Sequence, residues 1–307
     1  MNIALFGATG FVGNYIIKSL IKNHHTPFAL VREGSEKKLR TNINIIPGDL
    51  NNVDSINKLV SQVDAVIYNV GIIREFPKKN ITYENLHYEK LCEVINTSKI
   101  NNVKRFLLMS ANGIDNNTTG YQSSKLKGER YLKKSGLDWT IFRPSLIYGN
   151  PNGGIEFCSQ LKRDMISLPI PAPSFYSGLL PTNAGEFKMS PIHVENVSDF
   201  FVKSINKKDA IYKTYLLGGS NSFTWNEIIK TISRASKKNK WIIPAPALPI
   251  KLLAKALQKF SWFPITADQI TMLLQSNICS SKELFSEFNI EEIPFNENSL
   301  SYLIDSE

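Results

Sequence analysis

Tyr121 and Lys125 stand four residues apart in Tyr121-Gln122-Ser123-Ser124-Lys125. On a helix, positions i and i+4 share a face, so this spacing sets an ammonium beside a phenol. A neighbouring positive charge favours phenolate, which predicts a tyrosine pKa lowered toward working pH and a general acid–base. The same ammonium can bind sugar hydroxyls. Of the 11 tyrosines, Tyr121 alone has lysine at the fourth following position. It also lies just after the fifth expected strand, Arg105–Met109. The plainer reading of the pair is the start of an amphipathic helix with two surface side chains.

A second set opens the chain. The apolar run Ile3–Phe6 passes directly into Gly7-Ala8-Thr9-Gly10-Phe11-Val12-Gly13, and a helical pattern follows. The first glycine permits a tight turn out of a strand. The second removes a Cβ where a diphosphate approaches the backbone, and the third lets the helix pack closely on the sheet. Free N–H groups and the positive end of a helix dipole then face an anion. Gly7, Thr9, Gly10, Phe11, Val12 and Gly13 are therefore the expected cofactor cradle. The spacing is one residue wider than G-x-G-x-x-G. A βα turn that holds no ligand is the alternative.

Further candidates lie at the ends of later strands. Phe28–Val31 ends in Arg32, with Lys37 and Lys38 close behind and Glu33 opposed to them. An arginine at this position accommodates a 2′-phosphate, so NADP(H) is favoured over NAD(H). Asp49, in Gly48-Asp49-Leu50, either accepts from an adenine amine or caps the next helix. Asn69-Val70-Gly71 offers backbone to the nicotinamide ribose side. His193 reads as a core or loop histidine rather than a base. No metal constellation is apparent. Cys92, Cys158 and Cys279 are scattered and odd in number, which predicts reduced thiols.

The elements that must position these groups alternate. Strands are expected at Ile3–Phe6, Phe28–Val31, Asn44–Ile46, Ala65–Tyr68, Arg105–Met109 and Thr140–Phe142. Helices are expected at Val12–Asn23, Val53–Ser61, Tyr83–Asn101 and Tyr121–Lys134. Apolar strands alternating with helices predict an α/β fold, a doubly wound Rossmann parallel sheet of about seven strands. Residues 1–150 form this domain. Residues 151–307 form a small, mainly helical substrate lobe, with 188–217 returning to the sheet. In that lobe Thr224 and Glu227 have capping-box spacing before the helix Thr224–Lys237. Later helices are expected at Ala247–Phe260, Thr266–Leu274 and Lys282–Phe288. The uncharged stretch Met165–Gly185 carries four prolines, which deny it a continuous membrane-spanning helix.

The 307 residues carry a formal charge of +9. That excess suits an anionic cofactor, an anionic membrane surface or an acidic partner. No nucleic-acid-reading signature accompanies it. Met1-Asn2 runs straight into the first strand, which reads as a mature cytosolic start and predicts a cytoplasmic protein. Lys251, Lys255 and Lys259 form one helical stripe, with Leu253, Leu257 and Phe260 on other sides and Trp262-Phe263 behind. A solvated lysine face over an apolar core face is the ordinary explanation. Peripheral membrane or membrane-complex association is the sharper one.

Gly7/Gly10/Gly13, Gly48-Asp49-Leu50, Tyr121/Lys125 and Phe142-Arg143-Pro144-Ser145-Leu146-Ile147-Tyr148-Gly149 together resemble the extended and atypical short-chain dehydrogenase/reductases. Within them, the chain is most similar to the NAD(P)-binding proteins related to the nucleotide-binding accessory subunit of respiratory complex I. Residues 190–197 and 264–269 resemble the later motifs of that subgroup. The resemblance implies a cofactor across the strand ends and a substrate held by the C-terminal lobe. It also implies a catalytic Ser or Thr after the fifth strand, for which Ser110 and Asn112 are the alternatives. Ser110 lies 11 residues before Tyr121, a short separation that argues against nucleotide-sugar chemistry. Two functions remain open. One is an NADP(H)-dependent reductase or epimerase-like enzyme acting on a small or lipid-like carbonyl or hydroxyl substrate, with Tyr121, Lys125 and Ser110 as its catalytic set. The other is a non-catalytic cofactor-binding accessory or assembly factor of a respiratory system.

Overall fold

The computed structural model describes residues 1–258, 260, 263 and 265–304. Chain contacts divide it into two units. The first comprises 1–144, 194–216 and 288–290.

The first unit is built on β1 (Asn2–Phe6), β2 (Thr26–Val31), β3 (Asn44–Pro47), β4 (Ala65–Tyr68), β5 (Arg105–Met109) and β6 (Asp138–Pro144). A seventh strand, Lys213–Leu217, completes the sheet beside β6. From that edge the order continues β6, β5, β4, β1, β2, β3. The pairings among β1 to β6 are parallel. All of β4 and β5 is buried, as parallel strands covered on both faces must be. The order reverses at β1, between β4 and β2. That reversal opens a ligand crevice at the carboxyl ends of the strands. The expected Rossmann sheet is thus the observed one.

The covering helices are α1 (Phe11–Lys22), α2 (Val53–Val60), α3 (Lys90–Ile100) and α4 (Gly120–Lys133), with a further helix at Val194–Ser204. The helix expected from Tyr83 begins instead as a π-helical turn over Glu84–Glu89, which hands over to α3. Gly128 of α4 explains how α4 meets this turn. A Cβ there would stand 2.6 Å from the His87 carbonyl oxygen, so only glycine lets the two backbones come together. Arg105 locks the far end of the unit. Its buried guanidinium donates to the carbonyls of Ser204 and Ile205, at the C-terminal end of the helix from Val194, where carbonyls lack helical partners.

The second unit comprises 145–193, 217–287 and 291–307. Its helices include Trp225–Ala235, which carries the Thr224/Glu227 capping box that the spacing predicts. Ala267–Leu274 has a similar box from Thr266 and Gln269. Trp225 is buried with Phe175 and Phe187, and its indole N–H donates to the Pro173 carbonyl at 2.8 Å. The proline-rich stretch holds a strand that the sequence reading passed over. Ala172–Tyr176 pairs in parallel with Ile242–Pro246. Both strands are edges of a two-stranded ribbon, where a missing N–H is tolerated. No helix among the described residues is long and apolar enough to cross a membrane.

Candidate functional site

The glycine turn has the geometry its spacing suggests, with one refinement. Gly7 has φ +88°, and a Cβ on it would stand 2.7 Å from the Asn69 carbonyl oxygen. The turn out of β1 therefore runs against the exit of β4, where Asn69 N–H donates to Phe6 O at 3.0 Å. A Cβ on Gly13 would lie 2.2 Å from Gly7 O and 2.7 Å from Ala8 O. Gly13 thus packs α1 against its own entry turn, rather than onto the sheet. Gly10 differs from both. It is exposed, and a Cβ there would meet Gly7 O alone, at 3.3 Å. No side chain caps α1 at Gly10, so its first N–H groups keep their donor capacity. Thr9, Phe11 and Val12 are half-buried around this opening.

Asn14, which sequence reasoning missed, fastens the next segment to this turn. Its Nδ2 donates to Gly10 O at 3.0 Å and to Lys38 O at 3.3 Å, while Oδ1 accepts from Arg40 N–H at 3.2 Å. The basic loop behind β2, with Arg32, Lys37, Lys38 and Arg40, is therefore tied to the start of α1. Arg32 itself is exposed at the end of β2. Asp49 closes a small turn by accepting from Asn51 N–H at 2.8 Å. It does not cap α2; Asn52 does, through Ser55 N–H. Leu50 packs on the hydrophobic core.

The Tyr121/Lys125 pair sits at the start of α4, which Thr119 caps. Lys125 is buried, and its Nζ donates to Met109 O at 3.0 Å, at the carboxyl end of β5. Gly71 approaches it from the loop after β4, and a Cβ on Gly71 would stand 3.3 Å from Nζ. Burial lowers the Lys125 pKa to about 8, against an opposing pull from Glu129. Tyr121 corrects the expectation drawn from spacing. Its pKa is raised to about 12, because burial disfavours the phenolate. Lys125 Nζ lies 5.9 Å from the ring centroid, over the ring. Tyr121 packs edge-on against the stacked rings of Tyr83 and His87, with centroids 5.7 Å and 5.3 Å away. A neutral phenol in such a place can give up a proton as an acid.

His87 is a second missed residue. Its Nε2 accepts from Ile72 N–H at 3.1 Å, so the proton of the neutral ring sits on Nδ1. Nδ1 donates to Ser124 Oγ at 3.0 Å, and Ser124 Oγ donates to Tyr121 O at 3.0 Å. Burial, with Lys125 adding to it, lowers His87 to about 2 and keeps it neutral. The chain of bonds ties the loop after β4 to the first turn of α4. Nothing local in the sequence marks His87, since it lies within an unbroken helical pattern.

Ser110 follows Met109, whose carbonyl holds Lys125. Its Oγ and His25 Nδ1 are the buried side-chain atoms left without a hydrogen-bond partner among the described residues. Buried hydroxyls nearly always find a partner, so a bound molecule is the natural complement of Ser110 Oγ. Asn112 is fixed by its own N–H to Pro144 O at 2.9 Å. Gln122 Oε1 accepts from the Thr118 N–H and hydroxyl at 3.0 Å, and its Nε2 donates to Gly113 O at 2.9 Å. Arg143 forks onto buried Glu129 through two bonds of 2.8 Å and also pairs with Asp115. These contacts set the loop between Ser110 and Tyr121. His193 lies in the second unit, edge-on to Tyr148, and burial lowers its pKa to about 4.

The open side of Gly10 and the unpartnered Ser110 Oγ fit a dinucleotide laid across the strand ends. Comparisons with known proteins agree. A family model described as NAD(P)H-binding matches residues 7–167. The 40 kDa subunit of Neurospora crassa NADH-ubiquinone oxidoreductase is 26% identical over 94% of this chain and 74% of its own length. UDP-glucose 4-epimerase of Vibrio cholerae is 25% identical, covering 92% of this chain and 89% of that protein. In architecture, the chain superposes on an Escherichia coli NADPH-dependent quinone oxidoreductase with a TM-score of 0.71 at 18% identity, covering 98% of this chain and 99% of that one. Thermotoga maritima UDP-glucose 4-epimerase gives 0.73 at 15% identity, with 99% and 98% covered. A glycine turn at a topological switch point and a family match over more than half its length give one answer: this chain belongs to the NAD(P)H-binding family, with the Rossmann architecture of the short-chain dehydrogenase/reductase and epimerase proteins.

Proposed function

We propose that the first unit binds NADP(H) and works as a reductase of a small or lipid-like carbonyl compound. The observation that carries this reading is Lys125 Nζ, held between Met109 O and Gly71 next to the unpartnered Ser110 hydroxyl. When bound, a nicotinamide dinucleotide supplies a hydride. Gly7, Thr9, Gly10, Phe11, Val12 and Gly13 would hold its diphosphate, and Arg32 with its basic neighbours would hold a 2′-phosphate. Asp49 and Leu50 would flank the adenine, while Asn69, Gly71 and Lys125 would flank the nicotinamide ribose. Ser110 Oγ then donates to the substrate oxygen and Tyr121 gives it a proton. Lys125 stays charged beside them and stabilises the phenolate that forms.

NADPH consumption against a panel of carbonyl compounds and quinones tests this. Tyr121→Phe is expected to reduce turnover by about 10²- to 10⁴-fold while NADPH still binds. Turnover that survives the substitution would show that another group is the acid.

A second reading has its own support. One of the curated relatives reported above is a respiratory-complex subunit, and the similarity runs over nearly the whole chain. On that reading the chain is an accessory or assembly factor, peripheral to a respiratory membrane complex, and the nucleotide is a structural or redox-sensing ligand. NADPH binding without turnover of any panel compound is the result that would favour it.

A further inference from the structure

The helix Ala247–Leu257 is turned the wrong way for a solvated surface helix. Ala247 and Ala254 are its buried residues. Leu248, Leu252 and Leu253 are exposed, at 67%, 60% and 51%. Pro249 and Ala256 are exposed between them. On a helical projection these five residues fill the outward half, while Lys251 and Lys255 fall together on one flank. The lysine stripe read from the sequence is therefore an edge, and the outward face is apolar. Lys259 and Trp262 lie outside the described residues.

A second apolar feature leaves the same ribbon. Tyr176 is opposite Pro246 in the parallel pairing, so the chain after each of them departs from one end of the two strands. After Pro246 comes the helix. After Tyr176 comes Ser177-Gly178-Leu179-Leu180-Pro181, with Leu179 98% exposed and Leu180 68% exposed. The charged residues of the helix are both basic, Lys251 and Lys255. Residues 228–267 contain eight lysines and arginines and no acid, so no carboxylate within that segment offsets Lys251 and Lys255.

We infer that this face of the second unit is a docking surface for an anionic lipid bilayer. The outward leucines enter the headgroup–acyl boundary, and the Leu179-Leu180 loop enters beside them. Lys251 and Lys255 meet anionic headgroups from the flank. Composition separates this from a protein interface. Such interfaces are enriched in aromatic residues and arginine and depleted in lysine, whereas this face presents leucine and lysine. The inference gives a surface to the peripheral placement proposed above and makes no use of the nucleotide site.

Flotation of the full chain tests it, using phosphatidylcholine vesicles with and without phosphatidylglycerol. The chain is expected to float with the anionic vesicles and to be released by high salt. Leu252→Glu/Leu253→Glu is expected to lose at least about tenfold in binding, and Lys251→Gln or Lys255→Gln about fivefold each. Leu179→Ser, in a loop, provides a second variant that does not touch the helix. NADPH titration of each variant reports the first unit separately and is expected to be unchanged. No flotation of the wild type overturns the inference. So does flotation that survives Leu252→Glu/Leu253→Glu, or self-association that the double variant abolishes in a chain that never floats.

Discussion

Lys125 and His87 are opposite cases of a basic group placed out of water. Lys125 is lowered to about 8 by burial, so its charge is lost within an ordinary experimental range. NADPH affinity is therefore expected to weaken as pH rises through about 8, when the ammonium loses its proton. Lys125→Met should bind more weakly at neutral pH and show no such step. Binding measured by nicotinamide fluorescence from pH 6.5 to 9.5 checks this, and an unchanged step in Lys125→Met would remove Lys125 from the site. His87 acts on stability. Its folded pKa, about 2, lies below the usual 6.5, so the unfolded chain binds the proton more readily. The contribution of His87 is complete above about pH 6.5 and is lost as pH falls toward 2. Between pH 6.5 and 5 the wild type should lose up to about 1.4 kcal/mol per pH unit more than His87→Asn, by denaturant titration. Equal slopes would mean that His87 already carries a proton in the fold.

The elements bring together residues that are far apart in the chain, and Arg143 shows how. It stands near the end of β6 and forks onto Glu129 of α4 and Asp115 of the preceding loop. Without it, a carboxylate buried at 1% exposure keeps Lys133, at 3.6 Å, and the more distant Lys125 to balance it. Arg143→Met is expected to cost about 3–5 kcal/mol, measured by urea unfolding, and to weaken turnover by loosening the start of α4. A cost under about 1 kcal/mol would show that the fork is replaceable. The same elements mark what a sequence can reveal. Ala65–Tyr68 of β4 and Phe106–Met109 of β5 are continuous apolar runs, and the spacing around Thr224 fixes a helix start, so local pattern suffices for them. The π turn at Glu84–Glu89 keeps the apolar spacing of a helix and is set by contact with Gly128. The strand Ala172–Tyr176 is hidden by its prolines. The Tyr121/Lys125 spacing predicts proximity correctly, yet the phenol's pKa moves up because burial, which the spacing does not encode, outweighs the ammonium. Asn14, His87 and Ser124 act through partners 15 or more residues away, and nothing in their neighbourhood announces it.

At the scale of the molecule, the two units carry separate chemistry. The first presents a glycine turn, a basic loop tied to it by Asn14, and the Tyr121 phenol with Lys125 over its ring. The second carries an acid-free basic segment, 228–267, and an apolar outward face. The net +9 falls in the first unit, the one that matches the NAD(P)H-binding family over most of its length. Cofactor choice is the most direct test of the whole account, by titrating the purified chain with NADPH and NADH at pH 7 and repeating with Arg32→Asp. The account predicts NADPH bound at least about tenfold more tightly than NADH, with most of that preference lost in Arg32→Asp. Equal affinity for the two cofactors in the wild type, or no binding of either, would contradict it.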